Sequence, residues 1–207
     1  MHHFLRPGET PANHPVEKLA AIIGEASGMP EIPVEVLSMS PWVMSPKISR
    51  KVRLGRIFFV GDSAARLSPA GGLGLNTGLQ STHDLAWKLA AVIQGAASPV
   101  LLDSYEKERL GATLWTLDHS NGNAADILGM VAAAAKQDWP EVRNLISQNG
   151  HRGYRPLGID LGIEYPDGAL IPDGTQPVLR QDPINNYIPN PDGNCPVSCI
   201  RANHLFI

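Results

Sequence analysis

The sequence predicts a mixed α/β fold, mainly helical, with a small sheet leading into a helical bundle. Three observations carry that prediction. An apolar run from Ile57 to Val60 stops at Gly61-Asp62, the pattern of a strand ending in a turn. A Pro/Gly loop with Pro69, Gly71, Gly72 and Gly74 follows and opens a long segment of helical period. Prolines and glycines gather before Trp42, in that loop and after Gly150, so irregular ends flank a helical middle.

Taken in order, residues 16–27 place Leu19, Ile22 and Ile23 on one side, which predicts a short amphipathic helix. Residues 34–39 read as a strand, and residues 51–60 as a turn and then a buried strand. Residues 76–94 are the clearest helix, with Asn76 as its cap. Leu79, Leu85, Ala86, Leu89, Ala90 and Ile93 form its apolar stripe, and Gly95 stands where a C-terminal glycine is expected. A further helix runs from Leu101, with Asp103 near its start, and breaks around residues 121–123 before another over residues 124–135. Residues 139–149 make a last helix closed by Gly150, and Asp167-Gly168 and Asp173-Gly174 mark hairpin turns. Three regions result: residues 1–50, residues 51–150 and a Pro/Gly-rich extension over residues 151–207.

Composition narrows the function classes. With 207 residues, 43% hydrophobic, the chain can bury a real core. A net charge of −3 without a basic cluster argues against a nucleic-acid partner. No apolar run approaches the roughly 20 residues that span a bilayer, and the polar N-terminus does not read as a signal peptide, so a cytoplasmic location is expected. Cys195, Cys199 and His204 lack the spacing and fourth ligand of a zinc site, so no metal is expected.

A strand feeding a glycine loop at a helix start offers free backbone N–H groups to a ligand. Glycine lets the chain approach that ligand closely. Asp62 reads either as a loop cap or as a ligand-binding carboxylate, and Arg66 as a solvated side chain or an anchor for an anionic group. His83, alone on its helix, reads first as a surface or core histidine and second as a catalytic group. Asp118 and His119 are adjacent on a helix, where neighbours do not face each other, so they form no dyad. Trp42, Met44 and Trp115 read as core, with cavity lining as the alternative.

The segment from Gly61-Asp62 through Pro69, Gly71, Gly72, Gly74, Leu75 and Asn76 resembles the second flavin-binding motif of the FAD-dependent aromatic-ring hydroxylases. The similarity continues through residues 83–90 and 102–109 and covers roughly residues 34–189. The resemblance implies a remnant of the flavoprotein hydroxylase fold. It implies that Gly61 and Asp62 hold the flavin ribitol or ribose region, and that the Pro69–Asn76 loop faces the pyrimidine edge of the ring. The family's N-terminal Gly-x-Gly-x-x-Gly unit, which binds the adenine end, has no counterpart here, and neither does a complete thioredoxin-like C-terminal domain. Ala65 stands where the family has histidine, and Ser68 where it has the first of two prolines.

These departures favour a non-redox enzyme that cyclises or isomerises a small, secondary-metabolite-like molecule without a cofactor. In that reading Asp62, Arg66 and His83 act on the substrate and the loop amides form an oxyanion-type site. The alternative keeps FAD and hydroxylates an aromatic substrate with NAD(P)H, a partner chain supplying the nucleotide half. A non-catalytic binding remnant is the third reading. The motif strand, deprived of its neighbours, would leave unpaired edges, which predicts a homodimer.

Overall fold

The computed structural model describes residues 8–154, together with residues 3, 5, 159, 163, 165 and 167–169. The chain divides into two compact units at Met44 and Ser45. In the first, helix α1 spans Val16–Ser27, matching its expected range, and ends at Gly28 in the left-handed conformation (φ 72°). Residues 34–39 form no strand: no ladder partner faces them among the described residues. An apolar-rich run alone does not make a strand without a neighbouring segment to take its hydrogen bonds.

The second unit begins with two small antiparallel pairs. Strand β1 (Lys47–Ile48) pairs with β4 (Ala65–Arg66), and β2 (Arg53–Leu54) pairs with β3 (Ile57–Phe58). The expected buried strand is therefore a short hairpin arm. Ile57 is exposed, and one edge of the arm is occupied by β2, so the edge argument for a second copy loses its premise on that side.

Helix α2 spans Leu73–Ile93 and α3 spans Ser104–Ala135, after a 3-10 turn at Pro99–Asp103 that Ser98 caps. The predicted break near Asn121 is absent. A helical glycine costs about 1 kcal/mol, and here the turn around Gly122 is held by its buried neighbours. Ser120 donates to the Leu117 carbonyl at 3.3 Å, and Asn123 lies 3.2 Å from the His119 ring. Helix α4 spans Trp139–Tyr154, longer than expected, and packs back on α3, with Leu145 against Gly129. No described helix is long and apolar enough to cross a membrane.

An apolar core of Val52, Ala64, Leu85 and Tyr105, with Phe58 and Phe59 packed on it, sits beneath the hairpin. The Tyr105 hydroxyl donates to the Phe59 carbonyl at 2.8 Å, and burial pushes that phenol up to about 12. Glu106 accepts from the Val52 and Arg53 amides at 2.8 and 3.2 Å, so α3 also holds the hairpin by its backbone.

The buried stripe of α2 differs from the expected one. It runs Leu73, Thr77, Ser81, Asp84, Leu85, Lys88, whereas Leu79 and Ile93 are exposed. Only Leu85 of the predicted stripe is fully buried.

Candidate functional site

The Gly-Asp turn and the glycine loop meet on α2. Gly61–Ser63 forms a 3-10 turn with Gly61 at φ 59°, and Ser63 closes it by donating to the Val60 carbonyl at 2.7 Å. This turn lies against α2 at Gly78, where a Cβ would sit 3.5 Å from the Gly61 Cα. Gly78 is five residues into α2, so Asp62 is carried roughly 7 Å along the axis from the helix start. Asp62 is solvent-exposed.

The loop ends in two left-handed residues, Gly71 (φ 100°) and Gly72 (φ 68°), a conformation open to glycine and costly for other residues. Gly72 is the N-cap of α2 and has no side chain to offer. The first N–H groups of a helix have no partner within it, so those after Gly72 are left for an outside acceptor. A Cβ on Gly72 or Gly74 would meet nothing within 4 Å, so the backbone there faces open space. Leu75 and Asn76 are exposed beside it. Asn76 lies inside the helix and does not cap it, because the helix begins three residues earlier than predicted.

The two departures from the family motif have structural settings. Ser68 is buried, and its hydroxyl accepts from the Ala70 amide at 3.2 Å, so it braces the loop that Pro69 enters. Ala65 is half-buried in β4.

The remaining candidates are not gathered with Asp62 and the loop to the same degree. Arg66 is exposed on β4, opposite Lys47 in the ladder. His83 is exposed ten residues into α2, about 15 Å along the axis from Leu73 and about 140° round the helix from Gly78. Asp118 is exposed while His119 is buried, so the adjacent pair does point to different sides. Trp115 packs on a cluster of Ala112, Ile163 and Tyr165, whereas Trp42 is exposed. Cys195, Cys199, His204 and the turn at Asp173 lie outside the described residues.

Sequence reasoning missed a buried charge network between α2 and α3. The Lys88 ammonium is fully buried and donates to Asp84 at 2.9 Å and to Glu108 at 2.5 Å. Burial raises the Asp84 carboxyl to about 6, against the pull of Lys88, and Glu108 adds to the rise. Arg109, also buried, donates to Ser81 at 3.1 Å, to Gln80 at 3.2 Å and to the Tyr165 hydroxyl at 2.5 Å. Glu108 also accepts from the Ala169 amide at 2.6 Å, and Lys107 pairs with Asp167. Successive α3 residues thus hold the segment around Tyr165 and Ala169. A signal was present: Thr77, Ser81, Asp84 and Lys88 recur at helical spacing and form one stripe. A polar stripe reads as a solvent face, and the partners on α3 that make it a core are not visible from α2 alone.

A cavity of about 270 Å³ opens beside the first turns of α2, lined by Leu73, Asn76, Thr77, Gln80 and Thr116 among others. It adjoins the glycine loop.

Fold and site together define a helical scaffold that presents an uncapped helix N-terminus and a Gly-Asp turn on one helix. Residues 4–119 match the FAD binding domain family, and the chain belongs to it. Over 108 residues, 52% of this chain, it is 50% identical to the tetracenomycin A2 monooxygenase-dioxygenase of Streptomyces glaucescens, covering 19% of that protein. It is 29% identical to the FAD-dependent monooxygenase apdD of Emericella nidulans over 100% of this chain and 35% of that one. Among solved structures, the flavin-dependent monooxygenase PieE in complex with FAD and substrate superposes with a TM-score of 0.78. That match has 28% identity and covers 89% of this chain and 36% of PieE. The chain therefore spans about a fifth to a third of the length of these relatives.

Proposed function

We propose that this chain supplies the flavin-ring end of an FAD-dependent monooxygenase that acts on an aromatic, polyketide-type small molecule. The observation that carries the reading is the start of α2. Gly71 and Gly72 deliver the chain into a 21-residue helix with no side-chain cap, and open space lies beside Gly72 and Gly74. Unpaired N–H groups and the positive helix end suit a carbonyl or an N–C=O edge that gains negative charge. The Gly61–Ser63 turn, packed on Gly78, sets Asp62 where it accepts hydrogen bonds from ligand hydroxyls. FAD, when bound, would supply two-electron chemistry with a reduced nicotinamide and molecular oxygen.

The relatives' names support this reading over cofactor-free cyclisation. Asp62 is exposed on its turn, and no apolar pocket among the described residues encloses it. The adenine-binding contacts would come from outside the residues present here, in the same polypeptide or a partner chain.

The test is a flavin absorbance spectrum of the chain after incubation with FAD and gel filtration, with Asp62→Ala alongside. The reading expects flavin bands for the native chain and a weaker signal for the variant. A colourless native chain that turns over an aromatic polyketide unaided would restore the cyclase reading.

A further inference from the structure

Glycine at position 71 is required for two separate reasons. Its φ of 100° is costly for any side chain. Independently, a Cβ there would lie 3.1 Å from the Asn123 side-chain nitrogen and 3.6 Å from Leu73 Cδ1. The loop backbone is therefore seated directly on the Asn123 amide, which reaches it from α3, 52 residues further along the chain.

Asn123 is an odd choice for mere filling. It is only 7% exposed, and a buried amide costs free energy unless its hydrogen bonds are met. Its nitrogen lies 3.2 Å from Nε2 of His119, one helical turn back and itself buried. In that geometry the amide donates one N–H to the imidazole lone pair. The contact fixes the plane of the amide and directs its second N–H and its oxygen elsewhere. A leucine of similar volume would pack at lower cost but would have no fixed direction.

We propose that Asn123, oriented by His119, is a positioning residue for the glycine loop: it sets where Gly71 sits and hence where the first N–H groups of α2 point. For the identity of the ligand this rests on the flavin reading; for the contact itself it does not. Asn123 is placed under the backbone that would face the ligand and does not touch the ligand itself.

Asn123→Leu keeps the volume and Asn123→Ala removes it, and each is compared with the native chain by two readouts. The first is hydrogen exchange of the hydrogen-bonded loop amides, Ala70 to the Ser68 hydroxyl and Gly72 to the Pro69 carbonyl, against core amides of α2 and α3. The expected result is roughly tenfold faster exchange in the loop for both variants, with the core changed less than about twofold. The second is FAD affinity, expected to fall about tenfold in both. Gly71→Ala combined with Asn123→Ala should lose less affinity than the two single losses predict, because the shortened side chain makes room. Loop exchange equal to the native chain, or loop and core accelerating together, overturns the assignment. If the native chain binds no FAD while the loop still responds, the flavin reading falls and the positioning role stands. If FAD binds and neither variant weakens it, the positioning role falls and the flavin reading stands.

Discussion

Replacing Lys88 by methionine keeps the stem of the side chain and deletes its charge. The ammonium is fully buried and serves two carboxylates, Asp84 and Glu108, themselves 4% and 3% exposed. Its loss removes hydrogen bonds of 2.9 and 2.5 Å and leaves two buried negative groups facing each other. Breaking a buried ion pair by removing one partner costs about 3–5 kcal/mol. Proton uptake limits that cost. Asp84 already sits near 6 with Lys88 holding it down, so without Lys88 it rises further and takes a proton near neutral pH. The expected loss is about 4 kcal/mol at pH 8 and smaller at pH 5, out of a typical domain stability of about 5–15 kcal/mol. Urea unfolding followed by circular dichroism at both pH values measures it. Fluorescence is a poorer probe, because Lys88 lies 5.5 Å over the Trp87 ring. Adding Asp84→Asn and Glu108→Gln to the variant should recover most of the loss, since a neutral network has no stranded charge. A loss below about 1 kcal/mol at pH 8, or an equal loss at both pH values, refutes the reasoning.

Three further outcomes follow from the same structure. The raised Asp84 carboxyl binds its proton more tightly folded than unfolded, so its contribution to stability is full below about pH 4 and is lost as pH rises through about 6. Asp84→Asn should remove that loss, changing the stability difference between pH 4.5 and 7.5 by up to roughly 3 kcal/mol relative to the native chain in paired denaturation curves. Tyr165→Phe deletes the 2.5 Å acceptor of Arg109, leaving a buried guanidinium donor unmet, and should cost about 1–3 kcal/mol by urea midpoint. Gly72→Ala forces a side chain into φ 68° where space is open, so thermal unfolding should show only the backbone penalty of about 1–2 kcal/mol.

Much of the candidate site was legible in the sequence, because it is local. Gly61, Gly71 and Gly72 announce turns, and each has positive φ. Helix α1 was found at its limits for the same reason, since amphipathic period and a following glycine are properties of one segment. What the sequence hid depends on distant partners. Thr77, Ser81, Asp84 and Lys88 look like a wet face until Glu108 and Arg109 arrive from α3. The predicted break at Asn121 failed because Ser120 and Asn123 turn inward, Ser120 onto the Leu117 carbonyl and Asn123 beside the His119 ring, a placement invisible in propensity. Residues 34–39 show the converse: an apolar-rich run with no ladder partner among the described residues forms no strand.

The central claim is that the start of α2 faces the flavin ring while the Gly-Asp turn takes the hydroxyl-bearing part of the same ligand. The most direct measurement is hydrogen exchange of the native chain with and without a large excess of FAD, read at single-residue resolution. The account predicts slowed exchange at residues 61–63 and 72–76, with the helical amides near His83 unchanged. No slowing anywhere, or slowing confined to segments away from Gly61 and Gly72, would contradict it.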